Sequence, residues 1–277
     1  MRTRLTEILQ SYFGFELFLP DYLIMLSLSF TIGIYWTVRA AEKQGVRRDQ
    51  SLNAIFWSLV GAMAGARLLF VLQNVQYFLA NPLEMFEFWR GGLVAYGGII
   101  GGLLGGSLYI KYSGMPLGKF SDSAAPSIAV GLFLTRIGCF LNGCDFGKVS
   151  DLPWAVQFPA DSPAYTAHLK ARLIDTTSHL SLAVHPTQLY SSLDGLFLLG
   201  SILILKPYKR FDGQLFLSFI LLYAVTRFII EFFRGDEPRE FIAILSLSQW
   251  ISIVIGVVTV TILTKLYRFH RYGESSK

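Results

Sequence analysis

The feature that most constrains this chain is the recurrence of apolar stretches about 18–20 residues long, enough for a helix to cross about 30 Å of hydrocarbon. Seven such stretches run along the 277 residues: 19–38, 52–71, 93–110, 124–140, 189–205, 215–233 and 245–266. Lipid offers no water to backbone N–H and C=O groups, so each stretch must be a helix that satisfies its own hydrogen bonds. The expected fold class is therefore all-α, a polytopic membrane protein with seven transmembrane helices. Composition agrees, because 53% of the residues are hydrophobic and only 16% are charged, whereas about a quarter are charged in soluble domains. With no low-complexity linker and no internal repeat, residues 1–277 are expected to form a single membrane-embedded domain.

The net charge of +5 reflects topology rather than a nucleic-acid partner. Arg39, Lys43, Arg47 and Arg48 lie in one connection, Lys111 and Lys119 in a second, and Lys206, Lys209 and Arg210 in a third. The tail adds Lys265, Arg268, Arg271 and Lys277. These segments all fall on one side of a seven-span chain. The positive-inside rule then puts the N-terminus outside and the C-terminus in the cytoplasm. Residues 1–20 hold Arg2, Arg4, Glu7 and Glu16 without a compact apolar core and cleavage site, so no signal peptide is expected. Residues 7–18 fit a short interfacial helix, with Ile8, Leu9, Tyr12 and Phe13 near one face.

Cations inside the spans demand an explanation. Arg136 and Arg227 interrupt apolar runs, and a cation in hydrocarbon costs about 2.5–3.5 kcal/mol on insertion scales. Each must face protein, water or an anion. The topology collects Arg67, Arg136, Arg227, Glu231 and Arg234 near the outer ends of the second, fourth and sixth spans. It puts Tyr22, Tyr96, His185 and Gln188 near the outer starts of the first, third and fifth. Arg227, Glu231 and Arg234 are spaced i, i+4, i+7, which predicts one helical stripe. Arginines gathered at one depth suit a phosphate, because the planar guanidinium donates two parallel bonds and keeps its charge when desolvated.

The longest segment between spans, 141–187, carries Asp151, Pro153, Pro159, Asp161, Ser162 and Pro163 with Trp154, Phe158 and Tyr165. It is expected to be a folded outer-face cap. The third span carries Gly97, Gly98, Gly101, Gly102, Gly105 and Gly106, a stripe that lets a neighbouring helix approach closely or leaves a smooth wall for a lipid tail. The two cysteines, Cys139 and Cys144, flank the end of the fourth span. A disulfide there needs an oxidising compartment. Two cysteines without a histidine cluster do not make a zinc site, so no metal is expected, and no cofactor.

Taken in order, Gly65-Ala66-Arg67, Asn81-Pro82, Gly91-Gly92, Gly97-Gly98, Arg136-Ile137-Gly138-x-Phe140-x-Asn142-Gly143-x-x-x-Gly147, His185-Pro186-Thr187-Gln188-Leu189-Tyr190 and Arg227-Phe228-Ile229-Ile230-Glu231-Phe232-Phe233-Arg234 resemble the prolipoprotein diacylglyceryl transferases over nearly the whole chain. The resemblance implies a multi-pass protein of the bacterial plasma (inner) membrane. It implies phosphatidylglycerol and prelipoprotein signal peptides as partners, beside the surrounding membrane lipid. The activity implied is transfer of a diacylglyceryl group to the lipobox cysteine thiol, with a thioether formed and glycerol phosphate released. This chain departs from the family pattern at Tyr96, where the family usually has His, at Cys139, usually Asn, and at Cys144, usually Glu. Ser191 stands where a further acid is usual, with Asp194 one turn on. Leu141-Asn142-Gly143-Cys144 looks like a lipobox but is internal, and is read as coincidence.

The expected roles follow from where charge develops. Departing phosphate needs positioned cations in a water-poor site, so Arg136 and Arg227 are assigned to it, with Arg234 as a third contact. Glu231 would orient Arg227. Tyr96 would act as proton acceptor or hydrogen-bond the lipid. Asn142, Gly143 and Gly147 would shape the headgroup pocket, Tyr22 would line its entrance, and Arg67, His185 and Gln188 complete the substrate-binding set. Two other readings fit the same residues. One is a lipid-modifying paralogue with a different donor or acceptor. The other is a non-catalytic lipid or anion transporter, although transporters usually hold substrate near the midplane between repeats.

Overall fold

The computed structural model describes residues 21–87, 91–236 and 245–274. The proposed interfacial helix at 7–18 lies outside the described residues. Among the described residues the regular structure is helical, with only isolated β-bridges. The helices are α1 (Asp21–Glu42), α2 (Arg48–Gln73), α3 (Val75–Ala80), α4 (Ala95–Ser113), α5 (Leu117–Asn142), α6 (Pro163–Lys170), α7 (Thr187–Leu205), α8 (Gln214–Ile230) and α9 (Leu247–Glu274). Short 3-10 turns follow at Pro82–Phe86, Lys206–Tyr208 and Glu231–Phe233.

Among the described residues, six helical segments are long and apolar enough to cross a membrane: Tyr22–Glu42, Arg48–Gln73, Leu117–Asn142, Thr187–Tyr208, Gln214–Phe233 and Leu247–His270. The expected third span is a helix of 19 residues, α4. Its six glycines dilute its hydropathy, so it does not stand with the other six. Ile99, Ile100, Leu103 and Leu104 are nonetheless exposed along it. Contiguous exposed apolar surface of this kind needs a partner or lipid.

By internal contacts the chain divides into two compact units, 1–33 with 124–277, and 34–123. In the second unit, α2 and α4 pack antiparallel and backbone to backbone. A Cβ on Gly61 would fall on the carbonyl oxygen of Gly101, one on Gly65 on that of Gly97, and one on Gly105 on that of Trp57. The glycine stripe is thus a helix-packing surface, matching the small-xxx-small logic. Ala41, Val46, Ala54, Ile110, Met115 and Phe120 close this unit's core. Arg67 is buried in the same unit. It donates from Nε to Met85 O (2.9 Å), from Nη1 to Gly91 O (2.6 Å) and Gly92 O (3.2 Å), and from Nη2 to Glu84 O (2.5 Å).

In the first unit, Ala125, Ala129, Leu198, Ile202, Leu215 and Phe219 join α5, α7 and α8. Gly195 allows close approach, since a Cβ there would lie 2.6 Å from Phe133 N. Gly138 does the same between α5 and α1, against Tyr22 and Met25. Residues 141–187 fold around Phe146, Phe158, Ala164 and Val184. Ser162 caps α6 by accepting from Tyr165 N at 3.2 Å, the usual use of a serine at that point.

Candidate functional site

The site is built at the C-terminal end of α5. Gly143 takes φ +76°, and two backbone bonds close the helix: Cys144 N donates to Cys139 O (3.2 Å) and Gly143 N to Phe140 O (3.2 Å). This pair of bonds, with glycine in the left-handed region, is a Schellman cap. Asp145 follows with φ 55°, a left-handed turn that Asp tolerates better than most residues. The turn brings its carboxylate back toward the last turns of α5. Arg136 Nη1 donates to Asp145 Oδ2 at 2.8 Å, and Arg234 Nη2 lies 3.2 Å from Asp145 Oδ1. Arg234 Nη2 also donates to Asp236 Oδ2 at 2.8 Å. Burial pushes the Asp145 carboxyl up, but Arg136 and then Arg234 outweigh it and hold the group below the ordinary carboxylate range.

The strip after the cap is wedged between two other segments. Gly147 N donates to His185 O (3.0 Å), Lys148 N to Phe233 O (2.9 Å), and Gly235 N to Phe146 O (3.1 Å). A Cβ on Gly147 would sit 2.5 Å from His185 Cβ and 2.8 Å from Phe233 O. Only a glycine lets the three strips meet. Gln188 Nε2 donates to Cys144 O (2.6 Å) and Thr187 Oγ1 to Asp145 O (2.7 Å), so the start of α7 clamps the same turn. His185 Nδ1 lies 3.1 Å from Tyr190 Oη, which accepts from Trp154 Nε1 at 2.9 Å. Tyr22 of α1 packs on Gly138 and lies within electrostatic reach of Arg136, Cys144 and Asp145.

Arg227 and Glu231 form the other ion pair, at 2.5 Å. Glu231 is buried and also accepts from Ser246 Oγ at 2.8 Å, while Arg227 Nη2 donates to Ser248 Oγ at 3.4 Å. The pair therefore ties α8 to the start of α9. The expected single stripe of Arg227, Glu231 and Arg234 does not form. The α-helix ends at Ile230 and tightens to a 3-10 turn, and Arg234 is extended with ψ 140°. That extension sends Arg234 to Asp145 and Asp236 rather than along the face of α8.

The structure thus brings Arg136, Arg234, Asn142, Gly143, Gly147, Tyr22, His185 and Gln188 into one region of the first unit. Arg67 and Tyr96 belong to the second unit. Arg67 is engaged with carbonyls of 84–92 as described above, and Tyr96 stands partly exposed in the first turn of α4. The residue that sequence reasoning left out of the site is Asp145. Its only signal was its place beside Cys144, where the family pattern carries an acid. The carboxylate is supplied one residue later and turned inward by the left-handed backbone.

The two thiols adjoin the carboxylate. The sulfur atoms of Cys139 and Cys144 and an oxygen of Asp145 all lie within 4.8 Å of one another. That spacing alone would suit a metal ion. Two guanidinium groups already neutralise the carboxylate, however, and they repel a cation, so the donor set does not favour a metal. The Cys144 thiol is pulled down to about 7, first by a hydrogen bond from Cys139, against burial, and then by one from the Asn142 side chain.

Fold and site together define a multi-pass helical membrane protein with paired arginines and carboxylates at the end of its helix bundle. The family model described as prolipoprotein diacylglyceryl transferase matches residues 12–265, and the chain belongs to this family. It is similar to proteins named phosphatidylglycerol–prolipoprotein diacylglyceryl transferase from several bacteria. The Clostridium tetani protein is 32% identical over 253 residues, 90% of this chain and 94% of its own length. The Bordetella avium protein is 33% identical over 88% of each chain. The Thermus thermophilus protein is 30% identical over 92% of this chain and 96% of its own.

Proposed function

We propose that this protein is a phosphatidylglycerol–prolipoprotein diacylglyceryl transferase. The observation that carries the reading, beside family membership, is the convergence of Arg136 and Arg234 from separate elements on one carboxylate. A lipid phosphate carries the same charge and the same paired oxygens as that carboxylate. It can take the place of Asp145 on Arg136 and be held by parallel N–H···O bonds. In the transfer, the acceptor sulfur bonds to the glycerol carbon that bears the phosphate. The carbon–oxygen bond breaks, and the phosphate oxygen keeps the electron pair as glycerol phosphate leaves. Negative charge grows on that oxygen, and a guanidinium fixed beforehand stabilises it most. Arg227, oriented by Glu231, is the second cation of this proposal. Tyr96 is retained as the candidate acceptor of the thiol proton or hydrogen-bond partner of the lipid ester or glycerol, and Asn142, Gly143, Gly147, Tyr22, His185 and Gln188 as the walls of the headgroup pocket. Arg67 is better read as the support of Glu84, Met85, Gly91 and Gly92.

The same proposal includes α4 as a seventh span, residues 141–187 as an outer-face cap, and an inner-membrane topology with the N-terminus outside. The clustering of Lys and Arg in alternate connections supports that orientation. The acid at Asp145 favours the transferase over a paralogue of different chemistry, since the charge lost at Cys144 is restored next door. Purified protein mixed with phosphatidylglycerol and a lipobox peptide should raise the peptide mass by one diacylglyceryl group. The Arg136→Ala variant, folded by thermal scan, should not. Full lipidation by that variant overturns the phosphate assignment.

A further inference from the structure

We propose that Cys139 and Cys144 are a reversible disulfide site, closed by exchange with a disulfide-class oxidant, and that its closure tightens the hold of the adjacent arginines on an anionic headgroup. The geometry comes from the helix cap. In a Schellman motif the third residue from the helix end and the second residue past it are brought side by side, usually as an apolar contact. Here those two residues are the cysteines. The 3.2 Å bond from Cys144 N to Cys139 O fixes their backbones, and the sulfurs lie together within the 4.8 Å group. The cap has therefore done the loop closure that a disulfide otherwise requires, and little chain entropy remains to be lost.

The two sulfurs are unequal in the way exchange chemistry needs. Cys139 is buried, at 8% exposed, while Cys144 is partly open. The Cys144 Sγ lies 3.7 Å from Cys139 O, and the neighbouring Cys139 thiol and Asn142 side chain favour its thiolate, the attacking form. The Cys144 sulfur attacks one sulfur of a small disulfide, whose S–S bond breaks and releases the first thiolate. Cys139 then gives its proton to water, attacks the Cys144 sulfur and expels the second thiolate. The protein pair loses two electrons and the small disulfide is reduced to two thiols. Before closure the Cys144 sulfur, in its thiolate form, is a further anion beside Asp145, the partner of Arg136. Closure removes that charge and leaves the guanidinium groups a stronger field for phosphate.

The second half of the proposal rests on the phosphate reading above, and the test keeps the two apart. The purified full chain is incubated with oxidised glutathione at neutral pH, acid-quenched, treated with maleimide and weighed intact. Wild type should lose two hydrogens, carry no maleimide and regain both labels after dithiothreitol. Cys139→Ser should instead keep a glutathione adduct on Cys144. Wild type that retains two labelled thiols, or an adduct that never resolves, overturns the site. Binding of phosphatidylglycerol in detergent is then compared for the oxidised and reduced forms. A severalfold tighter Kd for the oxidised form is expected, and equal Kd values overturn the coupling. If Arg136→Ala also binds with unchanged Kd, the phosphate reading itself has failed. If Arg136→Ala binds weakly while oxidation changes nothing, only the coupling has failed.

Discussion

Replacing Asp145 with Asn should test the core of the site most directly. The change preserves shape and removes the one charge that both Arg136 and Arg234 share. Losing a partner from a fully buried ion pair costs about 3–5 kcal/mol, because the remaining charge is stranded. Two features reduce that figure here. The Asp145 side chain is 30% exposed, and Arg234 keeps Asp236 at 2.8 Å. A loss of about 2 kcal/mol remains, the scale of a single charge-assisted hydrogen bond. Thermal denaturation in detergent should then fall by about 4–8 °C, taking about 2–4 °C per kcal/mol for chains of roughly this size. The acid limb gives a second reading. The Asp145 carboxyl is held below its unfolded value, so its stabilisation is present above about pH 3.9 and is lost as pH falls below that. Wild type should lose stability over that window, and Asp145→Asn should lose less. Phosphatidylglycerol should restore more stability to the variant than to wild type, because the lipid phosphate supplies the missing anion. A variant as stable as wild type at neutral pH, with an unchanged acid limb, would refute the reasoning.

The remaining predictions concern other parts of the molecule. Alkylation of Cys144 by iodoacetamide should accelerate through about pH 7, well below the ordinary thiol range near 8.5, and Asn142→Ala should move that profile upward. Gly101→Val should push α2 and α4 apart, since the first added carbon already meets the Gly61 carbonyl. A loss of about 1–3 kcal/mol, the range for overpacking, should appear as a lower midpoint in thermal scans. Burial lowers the pKa of His168, whose Nδ1 accepts from Leu182 N. Its contribution is therefore present above about pH 6.5 and lost as pH falls through the depressed folded value. Hydrogen exchange in residues 158–184 should rise in that acid range, and His168→Gln should blunt the rise.

Much of the bundle was legible because lipid leaves the backbone one solution. An apolar run of the right length can hardly be anything but a helix, and the body of each expected span is helical, with 93–94 and 245–246 falling just outside their helices. Helix ends were less legible. α2 begins at Arg48 rather than 52, and α5 at Leu117 rather than 124, because polar residues at a helix end carry no hydropathy signal. The glycine stripe was readable as packing from spacing alone. Arg234 was misplaced for a physical reason. No Pro or Gly separates it from Arg227, yet the helix tightens at Glu231, whose carboxylate accepts a tertiary bond from Ser246 that no local pattern announces. Asp145 was likewise hidden, since its importance depends on a backbone dihedral of 55° and on an arginine nearly ninety residues away.

The four carbonyls gathered on Arg67 have one further consequence. Arg67 is buried, and its guanidinium is the shared donor to the carbonyls of Glu84, Met85, Gly91 and Gly92. Each therefore acts as solvent for the other. A substitution at Glu84, Met85, Gly91 or Gly92 that moves these oxygens would be felt first as an ill-solvated cation inside α2, and only afterwards as a changed backbone. The 3-10 turn at Pro82–Phe86 and the glycines at 91 and 92 are thus held to α2 by electrostatics.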